Sequence, residues 1–328
     1  MFVLSRSAVR TPFRKGAMQT ELKRVEVVFP CHNRRELTLQ CLKSLERIDT
    51  TGLEIHVVVV DDGSTDGTSE AIRKQFPKAE IISGDGNLWF TEGTNVGVRA
   101  ALKHDPDYVL MINDDQVFDS NAIKAMVECA ELHPYSVIGS LLLLWDTPHK
   151  LFQTAPIWNT LRGGWQHWHN QTVWTIPDRA WNVDIIVGNC VLVPVAAIRE
   201  CGLMNSGRYP NFGDAEYTPR LRKLGWQLLI EPRARVFCQP NNLPPRIREM
   251  GWNKLFSALF IDLKSVHSLR RRLYAAVDSG PSRMHGIAAF FVFLIEAATG
   301  LSRERRRSST NLIEPPIKKV FAGRVTDK

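Results

Sequence analysis

Two neighbouring carboxylates close an apolar run in the first fifth of the chain. Asp61 and Asp62 follow the β-branched run 57–60 and precede a turn of the composition Gly-Ser-Thr-Asp-Gly. A carboxylate at the end of a buried strand can accept a hydrogen bond from a base N–H or a ribose hydroxyl, and Asp62 is the candidate for a nucleotide contact. The alternative is that both carboxylates only cap the helix that follows.

A second carboxylate cluster, Asn113-Asp114-Asp115, directly follows the apolar run 108–112. Mg²⁺ and Mn²⁺ prefer oxygen ligands and are commonly held by one or two carboxylates together with substrate phosphates. The cluster therefore suits a divalent cation that is bound to a diphosphate. A solvated acidic turn is the alternative, and it is the better interpretation of this motif taken alone.

The elements around these clusters alternate between strands and helices. This alternation is typical of an α/β fold with a mostly parallel, doubly wound sheet, whose ligands bind beyond the carboxyl ends of the strands. The polar residues Asn33, Asp62 and Asp115 all follow strand ends, so the architecture brings them towards one crevice. Apolar runs and spacing predict strands at 25–29, 55–60, 80–82, 108–112, 183–187, 190–193 and 227–230, and helices at 37–45, 69–76, 93–103, 120–132 and 214–224.

Four motifs occur in order within residues 25–241. They are "FPCHNR" at 29–34, "VVDDGSTD" at 59–66, "GNLWFTEGTNVG" at 86–97 and "INDD" at 112–115. Each motif is weak alone, but their order and spacing together resemble a family 2 glycosyltransferase with the GT-A fold. The resemblance covers about two thirds of the chain and implies an inverting enzyme that depends on a nucleotide sugar.

The resemblance also implies roles for individual residues. Asp115, the last residue of the family's Asp-x-Asp-like motif, should bind the cation, and Asp114 should lie near the ribose. The first position of that motif is Asn113 rather than an aspartate, which removes one negative charge. Cys238 and Gln239 stand where many family members place a histidine, so the cation is expected to rest on Asp115, the diphosphate and water. The other implied donor-binding residues are Pro30, His32, Asn33, Asp62 and Asn95.

A second acidic motif, "NFGDAEYTPRLRKLGW" at 211–226, resembles the family's acidic motif at the start of a helix. Transfer with inversion needs a base that deprotonates the attacking hydroxyl on the face opposite the leaving diphosphate. Asp214 is the expected catalytic base. Glu216 is a candidate acceptor contact, with a surface helix residue as the alternative. Arg220 either offsets the charge of the diphosphate or holds the acidic loop, and the second role is favoured.

The stretch that begins at residue 141 is irregular and rich in tryptophan. Indole faces pack on the apolar faces of sugar rings, so Trp165, Trp168 and Trp174 are candidates for an acceptor-binding platform. The favoured alternative is that several of these side chains close a small core in a loop-rich region.

The chain divides into four parts along its length. The expected parts are a flexible basic arm at 1–23, a GT-A domain at 24–242, a C-terminal helical region at 243–301 and a basic tail at 302–328. Within the GT-A domain, 24–140 is the nucleotide-sugar-binding half and 141–242 the acceptor-binding half. The arm lacks the long apolar run of a secretory signal.

The segment 286–301 is almost wholly apolar, with Glu296 as its only charge. As a helix it reaches about 24 Å, short of the approximately 30 Å hydrocarbon core of a bilayer, so a spanning helix is not expected. Peripheral contact with a membrane and packing against the catalytic domain are both left open.

Composition limits the partners and the compartment. The net charge is +8, but no RNA- or DNA-reading motif accompanies it, so no nucleic acid partner is expected. The six cysteines are scattered without a C-x-x-C pair, which indicates neither a zinc site nor a disulfide framework. Reduced thiols predict a cytoplasmic location, at the inner face of the cell membrane if 286–301 contacts it.

The sequence therefore predicts a hexosyl- or deoxyhexosyltransferase in polysaccharide or cell-envelope glycan synthesis. It would use a nucleoside-diphosphate sugar, Mg²⁺ or Mn²⁺, and a glycan or lipid-linked saccharide acceptor. One alternative is a catalytically weak member that binds nucleotide sugar or glycan, which Asn113 and Cys238 keep open. Another is a sugar-phosphate nucleotidyltransferase, which is disfavoured because no glycine-rich loop follows the first strand.

Overall fold

The computed structural model describes residues 22–153, 157–166, 171–187, 190–239 and 250–299. Its first half alternates strands and helices, as the sequence predicts. The elements of this half are β1 (Lys23–Cys31), α1 (Arg35–Leu45), β2 (Leu53–Asp61), α2 (Thr68–Gln75), β3 (Glu80–Ser83), α3 (Trp89–Ala101), β4 (Tyr108–Ile112), β5 (Val117–Phe118) and α4 (Ala122–Leu132).

The second half contains both long strands and several strands of only two or three residues, and it ends in helices. Its strands and the helices among them are β6 (Ser136–Leu144), β7 (Leu151–Gln153), β8 (Ile157–Asn159), β9 (Gly164–Gln166), β10 (Trp181–Asn182), β11 (Cys190–Pro194), α5 (Val195–Cys201), α6 (Asp214–Lys223) and β12 (Gln227–Cys238). The C-terminal helices are α7 (Trp252–Phe256), which continues into a π-helical turn (Ser257–Ile261), α8 (Leu269–Ser279) and α9 (Arg283–Thr299).

One large sheet joins the two halves, with the strand order β10-β12-β6-β11-β4-β1-β2-β3. The strands β3, β2, β1 and β4 are parallel, as are β6 and β12. The strand β11 lies antiparallel between β4 and β6 and connects the two parallel groups. This arrangement confirms the predicted α/β class with C-terminal helices, and it places the carboxyl ends of β1, β2 and β4 at one edge.

Helix α3 lies close against the parallel strands. An added Cβ at Gly97 would stand 2.3 Å from a methyl group of Val28, so only glycine allows this approach. Val28 on β1 and Val98 on α3 are both fully buried in the apolar layer on this face of the sheet. The packing fixes where α3 begins, at Trp89 beside the ends of the strands.

The prediction of a strand at 183–187 is wrong. Its backbone pairs only in part with the sheet, where the N–H of Val183 donates to the Leu228 carbonyl at 2.9 Å. The N–H and C=O of Ile186 bond instead to the hydroxyl of Thr218, at 3.2 and 3.0 Å. Ile186 is 2% exposed, so the apolar run reflects burial of a loop rather than membership of the sheet.

The C-terminal helices are docked on the α/β domain. The hydroxyl of Tyr209 donates to Asp278 at 2.7 Å, and the indole N–H of Trp165 donates to the Ser279 hydroxyl at 2.7 Å. Helix α9 approaches α8 through a small residue, because a Cβ at Gly286 would stand 2.3 Å from the Ala276 carbonyl oxygen. Among the described residues no helix is long and apolar enough to cross a membrane. The tail at 302–328 and all but the last two residues of the predicted arm lie outside the described residues.

Candidate active site

A cavity of about 790 Å³ opens where the parallel strands end. Its size is in the range of ligand pockets, roughly 300–1,000 Å³. Both halves of the domain and the C-terminal region contribute to its wall. The lining residues are Pro30, Cys31, His32, Arg34, Asp62, Gly86, Trp89, Phe90, Asn113, Asp114, Phe152, Trp165, Ile185, Val187, Asn211, Phe212, Asp214, Ala215 and Val266.

The loop after β1 is tied to the turn after β2. His32 Nδ1 lies 2.6 Å from the carbonyl oxygen of Asp62, and the side-chain oxygen of Asn33 accepts the N–H of Thr65 at 2.7 Å. Asn33 has a φ of 51°, a left-handed conformation that asparagine tolerates better than most residues. Pro30 and His32 line the cavity, whereas Asn33 holds the two loops together outside it.

The carboxylate of Asp62 organises the loop after β3. Its two oxygens accept the backbone N–H groups of Gly86 at 2.8 Å and Trp89 at 3.0 Å. A Cβ at Gly84 would stand 2.6 Å from one of these oxygens, so glycine is needed there. Asp62 is 5% exposed and lines the cavity. Each carboxylate oxygen keeps a second lone pair with which it can meet a ligand.

Asp114 and Asp115 share one cation, the guanidinium of Arg34. Arg34 Nη1 lies 2.9 Å from Asp114 and Nη2 lies 2.7 Å from Asp115, and both carboxylates are less than a tenth exposed. Burial raises the pKa of Asp114 to about 7, while the charge of Arg34 lowers it and that of Asp115 raises it. Asp114 lines the cavity, and Asp115 lies beside it.

The oxygen donors needed for a hard cation are present around this pair. The side-chain oxygen of Asn113 is buried without a hydrogen-bond partner among the described residues, and Asn113 lines the cavity. A neutral amide oxygen beside two carboxylates is a ligand set that suits Mg²⁺ or Mn²⁺. The thiol of Cys238 donates to the Leu143 carbonyl at 3.6 Å, and burial, with a smaller contribution from Asp115, raises its pKa to about 12.

Asn95 lies outside the cavity wall and anchors the segment that leads to Asp214. Its side chain donates to the Met204 carbonyl at 2.9 Å and accepts the Met204 N–H at 3.1 Å. One turn earlier on α3, the hydroxyl of Thr91 accepts the N–H of Gly213 at 3.1 Å. These bonds connect α3, whose first residue lines the cavity, to the residue before Asp214.

The two carboxylates of the second acidic motif face different surroundings. Asp214, the first residue of α6, lines the cavity. Glu216 is buried outside the cavity wall, and its carboxylate lies 2.7 Å from Arg220 Nε. Burial raises the pKa of Glu216, and Arg220 opposes this shift. Arg220 also donates to the carbonyls of Cys201 and Leu203, both at 2.8 Å, so it is placed to hold the acidic loop.

The tryptophan-rich stretch contributes one described tryptophan, Trp165, to the wall of the cavity. Trp165 lines it and packs edge-to-face on Trp158, with ring centroids 5.1 Å apart. Trp174 is 77% exposed and stacks on His149 away from the cavity wall. Trp168 lies outside the described residues.

Sequence reasoning missed the aromatic rim of the cavity. Trp89 lies under the ammonium of Lys264, 4.2 Å from the ring centroid, and Phe212 lies under the guanidinium of Arg271 at 4.1 Å. The members of these pairs are 175 and 59 residues apart in the chain, so no local sequence motif predicts that they are in contact. Arg34 could have been found, because it is a charged residue at a predicted strand end inside the "FPCHNR" motif.

The fold is the one that GT-A glycosyltransferases share. A superposition gives a TM-score of 0.55 with GalNAc-T7 in complex with UDP, GalNAc and Mn²⁺, at 12% identity over 87% of this chain and 58% of that chain. The mannosyltransferase of Pyrobaculum calidifontis in complex with GDP-Man and Mn²⁺ gives 0.50, at 15% identity over 92% of this chain and 78% of that chain.

Residues 26–168 match the model of glycosyl transferase family 2. The N-acetylglucosaminyl-diphospho-decaprenol L-rhamnosyltransferase of Mycobacterium tuberculosis is 24% identical over 205 residues, which is 56% of this chain and 66% of the relative. The undecaprenyl-phosphate 4-deoxy-4-formamido-L-arabinose transferase of Edwardsiella ictaluri is 28% identical over 121 residues, 36% of each chain. The chain thus spans about two thirds of the length of the first relative and about a third of the second.

Replacing Arg34 by methionine is expected to make stability more sensitive to alkaline pH. The raised pKa of Asp114 means that the folded state holds a proton which the unfolded state releases, so stability falls as pH rises from about 4 through about 7. Without Arg34 that pKa rises further, and the fall should continue above pH 7 at up to about 1.4 kcal/mol per pH unit. Urea unfolding of both proteins from pH 5 to 9 measures this pH dependence of the free energy of unfolding.

Arg35→Met is the matched control, because Arg35 pairs with the exposed Glu36. If Arg34→Met and Arg35→Met gave parallel stability profiles, Arg34 would not control the ionisation of Asp114.

Proposed function

We propose that the protein is an inverting glycosyltransferase that moves a hexosyl or deoxyhexosyl group from a nucleoside-diphosphate sugar to a glycan or lipid-linked saccharide. The observation that carries the proposal is one cavity lined by the donor-motif residues His32, Asp62 and Asp114 and by Asp214 of the second acidic motif. Donor and acceptor can meet in one cavity only if both sets of groups face it. One relative is named for a prenyl-diphosphate-linked saccharide and another for a prenyl phosphate, which supports a role in cell-envelope glycan synthesis.

The donor would bind along the ends of β1, β2 and β4. Pro30, His32 and Asp62 would contact the base and Asp114 the ribose, while Asn33 and Asn95 hold the loops on either side. Arg34, which lines the cavity, supplies a positive charge close to where a diphosphate meets the Asp114–Asp115 pair. Such a fixed cation lowers the energy of a developing phosphate charge.

A divalent cation, Mg²⁺ or Mn²⁺, fits the oxygen atoms of Asp115, Asn113 and Asp114 described above. Asp115 would be the principal protein ligand. When bound, the cation would offset the negative charge of the departing diphosphate. The mannosyltransferase and GalNAc-T7 structures that share the fold contain Mn²⁺, which supports this assignment.

Asp214 would accept the proton of the acceptor hydroxyl as that oxygen attacks the anomeric carbon. The bond to the acceptor oxygen forms while the bond to the diphosphate oxygen breaks, which inverts the configuration. The position of Asp214 at the first turn of α6 is set by α3 through Thr91 and Gly213. Trp165 and Phe212 supply apolar faces on which acceptor sugar rings can pack. Glu216 is expected to act on the acceptor indirectly, by holding Arg220 and the acidic loop.

A lipid-linked acceptor is favoured by cations at the rim of the cavity. Lys264 and Arg271 stand over the rim residues Trp89 and Phe212, and one terminal nitrogen of Arg271 is buried without a partner among the described residues. Both cations would meet the phosphate of a prenyl phosphate or diphosphate at this rim. Such an acceptor would bring the protein to the inner face of the cell membrane.

Helix α9 supplies an apolar face for that membrane contact. Met284, Ile287, Phe291 and Ile295 recur at helical spacing and are all 38% or more exposed, while Gly286 and Ala289 on the other side are buried. With 17 residues the helix is about 26 Å long, so it would lie along the surface of the bilayer.

Asp214→Asn should retain donor binding and lose most of the transfer, because an amide cannot accept the proton of the acceptor at neutral pH. A fall in kcat of about 10²- to 10⁴-fold is expected. Calorimetry with a panel of nucleotide sugars and a transfer assay with the sugar that binds would separate the two effects. The control is Asp184→Asn. The Asp184 side chain is 43% exposed and pairs with Arg222, which lies on α6 as Asp214 does. Lost donor affinity with turnover close to wild type would move Asp214 to the donor site.

Asp115→Asn should lower turnover by about a hundredfold or more without changing the unfolding midpoint greatly, because the role of this carboxylate is electrostatic. Activity should also require added Mg²⁺ or Mn²⁺ after treatment with a chelator. Asp105→Asn, which alters a carboxylate that is 76% exposed, is the control. Full activity in excess chelator would remove the cation from the proposal.

The double substitution Phe291→Gln and Ile295→Gln should weaken binding to vesicles of anionic phospholipid. Each lost apolar side chain contributes about 1.5–3 kcal/mol when fully buried, so a fall in partitioning of about tenfold or more is expected. Co-sedimentation at low and high salt measures it, and Leu132→Gln, at a side chain that is 73% exposed on α4, is the control. Equal binding by all three proteins would leave α9 as a packing element only.

A further inference from the structure

A second polar cluster lies in the parallel half, away from the cavity. Its members are Glu26 on β1, His56 on β2 and His104 in the helical turn that follows α3. None of the three lines the cavity. Glu26 precedes Cys31, at the cavity end of the same strand, by five residues, which is about 16 Å along β1. The cluster is therefore separate from the Asp114–Asp115 pair.

The potential ligand atoms of this cluster converge. One oxygen of Glu26 lies 2.8 Å from His56 Nδ1, and the other lies 3.1 Å from His104 Nδ1. One ligand atom from each residue can be chosen so that all of them lie within 4.8 Å of one another. A tetrahedral ion with bonds of about 2.0–2.1 Å places its ligand atoms about 3.3 Å apart, so small side-chain rotations would admit one.

The backbone holds these residues in place before any ion binds. Glu26 and His56 are register partners on neighbouring parallel strands in the interior of the sheet. The turn that carries His104 is tied back to β1, because Arg24 Nη1 donates to the His104 carbonyl at 3.3 Å. The Arg24 N–H also donates to Asp107 at 2.8 Å, just beyond the turn. A site on rigid elements keeps its ligand geometry.

Glu80 supplies a second feature typical of metal-binding histidines. Its carboxylate lies 3.5 Å from His104 Nε2, the ring nitrogen that faces away from Glu26. If an ion lay between Nδ1 and Glu26, the proton of His104 would sit on Nε2, where the Glu80 carboxylate could accept it. Glu80 would then orient His104 as a ligand.

Burial of the Glu26 carboxylate makes a cation favourable beside it. The Glu26 side chain is 6% exposed, and a buried carboxylate is costly unless it is paired. The side chains of His56 and His104 are 37% and 39% exposed, which leaves a path for an ion from solvent. Two imidazoles and one carboxylate form a mixed nitrogen and oxygen set, which suits zinc better than magnesium.

We propose that Glu26, His56 and His104 form a binding site for a zinc-type divalent cation, with water in the fourth position and Glu80 orienting His104. The ion would cross-link β1, β2 and the end of α3. Its role would be structural, because the site lies outside the cavity and every protein ligand comes from the nucleotide-binding half.

The test is titration of Zn²⁺ into the full chain after the chain has been treated with chelator and dialysed. We expect one saturable site per chain, a rise in the thermal midpoint on binding, and affinity lowered by more than about tenfold in His56→Gln and in His104→Gln. His133→Gln, at an exposed histidine outside the cluster, should bind as the wild type does. No saturable site in the wild type, or wild-type affinity for Zn²⁺ in either cluster variant, would overturn the proposal.

Two further measurements keep the result independent of variant folding and of the catalytic proposal. Co²⁺ added to the wild-type chain should give the intense visible absorption of tetrahedral coordination, and a spectrum typical of octahedral cobalt would overturn the site. Asp115→Asn should bind Zn²⁺ normally whether or not it transfers sugar. Loss of the zinc site in that variant would place the ion in the cavity instead.

Discussion

One guanidinium holds the floor of the cavity together. Asp114 and Asp115 follow β4, Arg34 follows β1, and the three charged groups meet at 2.7 and 2.9 Å in a place where neither carboxylate reaches bulk water. Two buried like charges side by side are unfavourable unless a cation lies between them. The loops after β1 and β4 therefore cannot separate without leaving a charge unpaired, and every other group of the cavity is placed relative to them. A diphosphate and its cation would enter a site in which the charge of Arg34 already offsets one of the two carboxylates. The family pattern has a third carboxylate at position 113, where this chain has the neutral Asn113.

Helix α3 transmits this arrangement to the second half of the molecule. Asp62 fixes the start of the helix by accepting the N–H of Trp89, and Gly97 lets its middle lie against β1. From that fixed position Thr91 and Asn95 bond to Gly213 and Met204, which are more than 100 residues further along the chain. The bonds along the first two turns of this helix set the distance between Asp62 and Asp214. Asn95, which the family resemblance places near the donor, contacts the backbone of the second half of the molecule.

The parallel half could be predicted from the sequence because its signals are local. The strand at 108–112 has the predicted bounds. The other three parallel strands, β1, β2 and β3, differ from the predicted bounds by at most two residues at either end. The second half could not be predicted as well, since the loop at 183–187 is as apolar as a strand but bonds to a side chain of α6. The rim of the cavity depends on contacts such as Lys264 with Trp89, for which no spacing rule exists. The cluster at Glu26 and His56 did leave a signal, because each is a polar residue inside an otherwise apolar strand, and the two strands pair in register.

The docking of the C-terminal helices links the cavity to the outer apolar face of α9. Trp165 lines the cavity, and its indole N–H donates to the hydroxyl of Ser279 at the end of α8. The neighbouring Asp278 accepts a hydrogen bond from the hydroxyl of Tyr209, which lies five residues before Asp214 in the chain. Because α8 is bonded on this side and packed against α9 on the other, the orientation of α9 is fixed relative to the cavity. If the exposed face of α9 binds to a surface, the cavity will therefore open in a fixed direction relative to that surface. Val266, just before α8, lines the cavity. The C-terminal region therefore forms part of the cavity wall and also supports it.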